Sequence, residues 1–233
     1  MICRKRRYSK SILKSNFFMM NGLYPFITNA IEEYCYGGSS VVDVGCGEQP
    51  FRELLKEKQA KYCGVDIKQN TMRTVDVIST AENLQIEDDI IDLVLCLEVL
   101  EHVNDVKKVV GEIKRILKPG GYCIITTPFI YPLHEEPYDN QRLTVYGLLN
   151  VVRQNQLEVV HFAKIGNEIE VFASMFNITV DNLISVDNLL CKVIRTLIRL
   201  PTNLFSLFIS CVVKRYLPKK YYLNTVLIFK NKK

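Results

Sequence analysis

The run Val41-Val42-Asp43-Val44-Gly45-Cys46-Gly47-Glu48-Gln49-Pro50-Phe51 constrains the fold more than any other part of the chain. Apolar, β-favouring positions lead into two glycines, and an amphipathic segment starts at Phe51. That order predicts a buried strand, a tight turn and the start of a helix. Gly45 and Gly47 have no Cβ, so their backbone can turn left-handed and a ligand can come close to it. Pro50 suits a first helical turn, where a missing N–H costs nothing. A strand ending in such a loop sets a ligand at the carboxyl edge of a parallel sheet. Gly-x-Gly also occurs in plain turns, so the reading needs support from the rest of the chain.

Upstream, Phe17, Met20, Leu23, Phe26, Ile27 and Ile31 recur at helical spacing between Asn16 and Tyr36, with Pro25 as a kink or restart. Downstream, Tyr62–Ile67 reads as a second strand and brings in Asp66, 21 residues after Gly45. At about that interval an acid meets ribose hydroxyls in dinucleotide folds. Val75–Ile78 is a weaker third strand, and the apolar run Ile90–Cys96 reads as a central strand covered on both faces. Val106, Val109, Val110, Ile113 and Ile116 form one helix face, with Lys107, Lys108, Lys114 and Arg115 solvated. Leu117-Lys118-Pro119-Gly120-Gly121 predicts a sharp stop before a fifth strand at Tyr122–Thr127. A helix (Val145–Gln154), a strand (Leu157–Ala163) and a last strand (Tyr222–Phe229) complete the pattern.

Glycine loop, strand-end acid, helix and turn, in this order across residues 41–127, resemble class I S-adenosylmethionine-dependent methyltransferases. The resemblance implies an α/β, Rossmann-like fold with a mostly parallel seven-stranded sheet, an antiparallel last strand, and S-adenosyl-L-methionine as cofactor. It assigns Asp43, Gly45, Cys46 and Gly47 to the first cofactor motif, and Asp66 and Ile67 to the ribose. Ala81 and Glu82 fall in the loop against the adenine; many members carry an acid where this chain has Thr80, so either Thr80 or Glu82 makes that contact. Cys96 ends the fourth strand, and Leu97 and Glu98 open the segment Leu97–Val103 that in the family closes over the methionine end, so all three are assigned to the cofactor. Where many members have a third glycine, this chain has Gln49. A pyrophosphate-binding fingerprint would need glycine at 50, so Pro50 and the 117–121 turn argue against a nicotinamide oxidoreductase. A noncatalytic adenosylmethionine-binding or assembly protein stays open as an alternative.

The polar, aromatic and proline-rich loop 127–144 lies on the edge where a methyl group would sit, and such a loop can shape an acceptor pocket. Its Pro-x-His-x-x-Pro-x-Asp-x-x-Arg-x-Thr run resembles a subgroup associated with cell-surface glycan synthesis. The reaction expected is methyl transfer to an oxygen or nitrogen of a small or lipid- or glycan-linked acceptor. His134 is the candidate general base, since a neutral imidazole accepts a proton near pH 7, and it serves equally as a loop histidine orienting Asp139 or the backbone. Tyr131, Asp139 and Arg142 are candidate substrate contacts, Arg142 for a carboxylate or phosphate. His102 reads as a structural contact, no second metal ligand stands at suitable spacing, and no metal is expected.

Charge is unevenly placed. Residues 1–14 hold six basic groups and residues 188–233 hold ten, while all 25 acids lie between them. An acidic body with basic ends fits an anionic neighbour, membrane or nucleic acid. The basic ends admit an RNA acceptor, yet the sequence shows no zinc knuckle and no basic–aromatic single-strand motif. Eight cysteines without a Cys-x-x-Cys pair point to a reducing cytoplasm, and no secretory signal follows the basic start. The organisation expected is a basic tail at 1–15 and one domain at 16–233, with 165–220 as a helical insertion serving as lid, dimer face or membrane-surface element. In that insertion Leu183, Val186, Leu190, Val193, Leu197 and Leu200 recur opposite Lys192, Arg195 and Arg199, and Pro201 separates them from a short apolar segment, Leu204–Val213. A bilayer span needs about 20 apolar residues, so interfacial attachment at the cytoplasmic leaflet is expected instead.

Overall fold

The computed structural model describes residues 10–186 and 188–232. Residues 1–9 of the expected basic tail lie outside the described residues. Residues 10–15 are docked: Ile12 and Lys14 each give a backbone carbonyl to Asn203 Nδ2, at 2.7 and 3.3 Å.

The chain runs α1 (Phe17–Tyr34), β1 (Ser40–Val44), α2 (Arg52–Glu57), β2 (Lys61–Asp66), β3 (Val77–Ile78), β4 (Ile91–Leu97), α3 (Val106–Ile116) and β5 (Leu117–Pro128). It continues through α4 (Val145–Gln154), β6 (Glu158–Ile165), α5 (Glu168–Leu183), α6 (Leu189–Val213) and β7 (Asn224–Lys230). One sheet has the order β3-β2-β1-β4-β5-β7-β6. The first five strands of that order are parallel, and β7 runs antiparallel between β5 and β6. The expected fold class is therefore the one observed.

Alternation splits the core across the two faces. Val42, Val44, Val94 and Cys96 pack with the apolar side of α3 and with α4. Val41, Leu93, Leu95, Ile124 and Ile228 pack with α1 and part of α5. The chain reverses its winding between β1 and β4, so their carboxyl ends open a crevice.

Four local expectations need correction. Pro25 sits inside an unbroken α1. Pro50 lies before α2, whose N-cap is Phe51. α3 stops at Ile116 as expected, but the turn 117–121 already belongs to β5: pairing steps from Ile91↔Leu117 to Leu93↔Tyr122, so Lys118–Gly121 bulge out of the ladder. Pro201 does not divide the insertion either, since α6 is one helix of 25 residues. With the 3-10 turn after it, Leu189–Tyr216 is long and apolar enough to cross a membrane, which overturns the reading of a short segment.

α5 and α6 form an antiparallel hairpin joined through polar side chains. Asn167 caps α5 by accepting from Ile169 N and Glu170 N, and its Nδ2 donates to Ser210 Oγ at 2.8 Å. The Ser210 hydroxyl donates to Glu170 Oε1 at 2.7 Å, and Asn177 Nδ2 donates to Asn203 Oδ1 at 2.8 Å. Arg199 pairs with Asp181 and also reaches Leu13 O. Arg199, expected opposite the apolar stripe as a group for an anionic surface, lies instead in the joint between the helices.

Candidate active site

The carboxyl ends of β1, β2 and β4 build one half of the site. Gly45 (φ +66°) and Gly47 (φ +51°) are both left-handed, and a Cβ at Gly45 would stand 2.5 Å from Val99 Cγ2. Gly47 N–H donates to Asp66 Oδ2 at 2.8 Å, and Ile67 N–H donates to Asp66 Oδ1 at 2.8 Å. Asp66 thus ties the glycine loop to the end of β2, and each carboxylate oxygen keeps a further lone pair for a hydroxyl. Ile67 lies exposed beside it.

Three side chains to which the sequence reading gave no bracing role hold this loop. Gln49, at φ +53°, donates Nε2 to Thr74 O at 2.6 Å and accepts from Arg52 at 2.8 Å. Its left-handed backbone explains why glycine suits that position. Asn70 Nδ2 donates to Gly47 O at 2.8 Å. Tyr62 O–H donates to the buried Asp43 at 2.9 Å, and burial, followed by the Asp43 charge, pushes the phenol pKa far up.

Cys96 and Leu97 are buried at the end of β4, and burial raises the Cys96 thiol pKa well above its usual range. Glu98 follows at φ +57°, buried, with Asn224 Nδ2 donating to its two oxygens at 3.1 and 3.0 Å. Ala81 is buried; Glu82 accepts from Asn104 N at 3.0 Å, while Thr80 is exposed.

The loop after β5 forms the other half. His134 Nδ1 faces two acceptors, Asp139 Oδ2 at 3.1 Å and Pro132 O at 3.3 Å, so Nδ1 carries the proton. Asp139 also accepts from His134 N–H at 3.0 Å and from both guanidinium nitrogens of Arg142. Arg142, followed by the His134 backbone bond, holds the Asp139 carboxyl down at about 2. Arg142 donates further to Tyr131 O, Pro132 O and Gln141 O. Glu101 lies under the loop with its side chain fully buried, and Oε2 accepts from Thr127 O–H at 3.4 Å. His102 Nδ1 faces Tyr138 O at 3.0 Å, and the two imidazoles meet edge to face at 4.9 Å. Glu101 and then Asp139 raise the His134 pKa, against the burial that lowers it.

Residues 42–125 match the family described as "Methyltransferase domain". This stretch is a methyltransferase domain. Its cofactor is S-adenosyl-L-methionine. The chain is 31% identical over 126 residues to a ubiquinone biosynthesis O-methyltransferase of Idiomarina loihiensis, an alignment covering 48% of this chain and 52% of that protein. It spans about half the length of the curated relatives it matches. Among solved structures it is similar to the [4+2]-cyclase SpnF, with 17% identity, TM-score 0.60, and coverage of 88% of this chain and 80% of that one. A structure described as a putative sarcosine dimethylglycine methyltransferase from Galdieria sulphuraria gives 14% identity, TM-score 0.59, and coverage of 89% and 84%. At such identities these two speak for the fold alone.

The methyltransferase domain fits its cofactor chemically. Adenosylmethionine carries a ribose and no pyrophosphate, which suits a glycine loop closed by Asp66 and followed by Pro50 rather than glycine. Asp43, Gly45, Cys46, Gly47, Asp66, Ile67, Cys96, Leu97 and Glu98 lie at the ends of β1, β2 and β4, or directly after them, on one sheet edge. Within that group Asp43 braces the loop through Tyr62. On the acceptor side, Asp139 and Arg142 are turned onto each other, the Asp139 side chain only 1% exposed. Through Asp139 the pair also meets His134 Nδ1.

Sequence reasoning missed Glu101 and His102 as partners of His134. They lie 33 and 32 positions away, and only the fold of loop 127–144 over the end of β4 joins them. The signal available was the adjacent acid and histidine, Glu101-His102, in the segment after a cofactor strand.

Proposed function

We propose that this protein transfers a methyl group from S-adenosylmethionine to an oxygen or nitrogen of a small or lipid-linked acceptor. The observation that carries the reading is a cofactor edge closed by Gly47 and Asp66 beside a loop that presents a bare imidazole nitrogen, His134 Nε2. The relatives named ubiquinone biosynthesis O-methyltransferase favour oxygen as the acceptor atom. The Pro132–Thr144 run favours an acceptor tied to a lipid or a cell-surface glycan.

When bound, the cofactor supplies a methyl group already activated on a sulfonium. The chain's own work is then positioning, which can contribute about 7–11 kcal/mol to lowering a bimolecular barrier. Asp66 holds the ribose hydroxyls, and Gly45 and Gly47 let the backbone approach. Glu98, fixed by Asn224, shapes the methionine end. Asp139 and Arg142 aim His134, whose Nε2 receives the acceptor proton, an effect of about 10²–10⁴ in rate. Tyr131 flanks that imidazole edge-on at 5.3 Å.

The test is transfer of labelled methyl to a panel of phenolic and amine acceptors, free and lipid-linked. His134→Gln should lower kcat far more than it alters cofactor affinity. Cofactor binding without transfer to any acceptor would favour the noncatalytic alternative, to which a cyclase on the same fold lends weight.

A second reading concerns location. α6 buries Asn203, Ser206 and Ser210 against the domain, while Leu190, Leu197, Leu204, Phe205, Phe208 and Val212 on its opposite side are exposed. Exposed Lys214, Arg215 and Lys220 follow, with Tyr216 and Tyr221 exposed among them. An apolar row ended by basic and tyrosine side chains suits a bilayer surface with anionic lipid. Because the polar side of α6 is occupied by α5, the helix lies in the interface rather than across it. In vesicle co-sedimentation, wild type should pellet with anionic but not neutral lipid, less so at high salt, and Leu204→Gln with Phe208→Gln should abolish pelleting. Wild type that stays in the supernatant throughout, and sediments as a dimer, would assign the row to self-association.

A further inference from the structure

We propose that Glu101, His102 and His134 form a binding site for one divalent transition cation of the zinc class, on the acceptor side of the methyltransferase domain. Nε2 of His102 and Nε2 of His134 stand 3.7 and 3.8 Å from the same oxygen, Glu101 Oε1, and all three atoms lie within 4.8 Å of one another. None of the three has a hydrogen-bond partner, although each atom is buried. The Glu101 side chain is 0% exposed, so an unpartnered oxygen there is costly unless something joins it.

The second ring nitrogens settle what the first can do. His134 Nδ1 donates to Asp139 and Pro132 O, and His102 Nδ1 donates to Tyr138 O. In the neutral rings, with Nδ1 as donor, both Nε2 lone pairs face the carboxylate. Metal-binding histidines are oriented in this way, by a carboxylate or carbonyl on the far nitrogen. Asp139 is in turn clamped by Arg142, and the Glu101 backbone carbonyl accepts from Asn140 N and Gln141 N at 2.8 and 3.3 Å. All three ligands are thus held from behind.

Two imidazoles and a carboxylate are the donor set of open zinc sites, with a further position left for solvent or substrate. A tetrahedral zinc with bonds of about 2.0–2.1 Å puts its ligand atoms about 3.3 Å apart. Reaching that spacing shortens each nitrogen–oxygen distance, now 3.7 and 3.8 Å, by about 0.4–0.5 Å. Nitrogen ligands disfavour magnesium and calcium, which take oxygen. His102 and His134 are 16% and 17% exposed, so the cation can enter from the loop side. The cation site stands without the proposed reaction. If that reaction holds, the metal-free protein uses His134 Nε2 as proton acceptor, and a bound cation would replace that role by binding the acceptor oxygen and easing its deprotonation.

The test uses the full chain, stripped with a chelator and titrated with Zn²⁺ by competition and with Co²⁺ by absorption. One cation per chain is expected, with visible bands of a nitrogen–oxygen site and no near-ultraviolet thiolate charge transfer. Zn²⁺ should also raise the melting temperature of wild type. His102→Gln and His134→Gln, both on partly exposed side chains, should each lower Zn²⁺ affinity at least about tenfold, and Asp139→Asn about 10–100-fold. Folding of each variant is checked by circular dichroism, and either histidine variant alone suffices. Folded variants that keep wild-type affinity, or Co²⁺ bands dominated by thiolate, would overturn the site.

Discussion

Gly45→Ala isolates what the first motif asks of the backbone. The added methyl group meets two separate costs. At φ +66° an L-residue is left-handed, which costs about 1–2 kcal/mol. Its Cβ would also lie 2.5 Å from Val99 Cγ2 and 3.4 Å from Cγ1, and valine is stiff at χ1, so backbone must move. Overpacking of this kind costs about 1–3 kcal/mol. The sum is about 2–5 kcal/mol of folding free energy, read by urea denaturation. Val99→Ala removes both methyl groups and leaves the dihedral cost. Gly45→Ala/Val99→Ala should therefore be less destabilised than the sum of the single variants by about 1–3 kcal/mol. Additive single effects, or Gly45→Ala within about 0.5 kcal/mol of wild type, would refute the argument. Because Val99 follows Glu98, the displaced loop should also weaken adenosylmethionine binding by calorimetry, more than Val99→Ala does alone.

Asp66→Ala removes the acceptor for Gly47 N–H and for a ribose hydroxyl, and should weaken adenosylmethionine binding by about 1–3 kcal/mol in calorimetry. Wild type that binds NADH and not adenosylmethionine would sink the cofactor assignment. Glu112 is held below the usual carboxylate range by Arg115, against burial, with help from Leu84 N–H. Its contribution is complete above the unfolded pKa of about 4.3 and is lost as pH falls through the lower folded value. Glu112→Gln should therefore flatten the acid side of the stability curve and cost about 1–3 kcal/mol at neutral pH; an unchanged curve would contradict the assignment.

The sheet was legible because each of its determinants is local. Strand β4 is an apolar run, α3 has its apolar stripe at 106, 109, 110, 113 and 116, and the 45–66 spacing places the strand-end acid. The bulge at 118–121 was not legible, since proline and two glycines stop a helix as readily as they loop out of a strand. The cofactor half of the site follows from the same local signals. The acceptor half depends on what one loop covers. Arg142 reads as a free cation in sequence, yet the fold returns Asp139 to it three residues earlier and closes both. His102 and His134 gain their meaning only from Glu101 Oε1 between them.

The insertion teaches a different limit. Helical spacing identifies two faces on α6, one apolar and one polar, but spacing does not say which face is buried. The neighbour decides that. α5 offers Asn167, Glu170, Asn177 and Asp181, so the face of α6 that docks is Arg199, Asn203 and Ser210. Exchanging water for protein partners in such bonds contributes only about 0.5–1.5 kcal/mol each. Leaving leucine and phenylalanine in water forgoes about 25 cal/mol for every Å² that could be covered. A helix arranged this way is better satisfied beside lipid, or beside a second copy, than in water. The proposed choice of an anionic bilayer rests on the basic and tyrosine residues that follow Val213. A domain held by this helix would meet a membrane-borne acceptor at the surface, without extracting it.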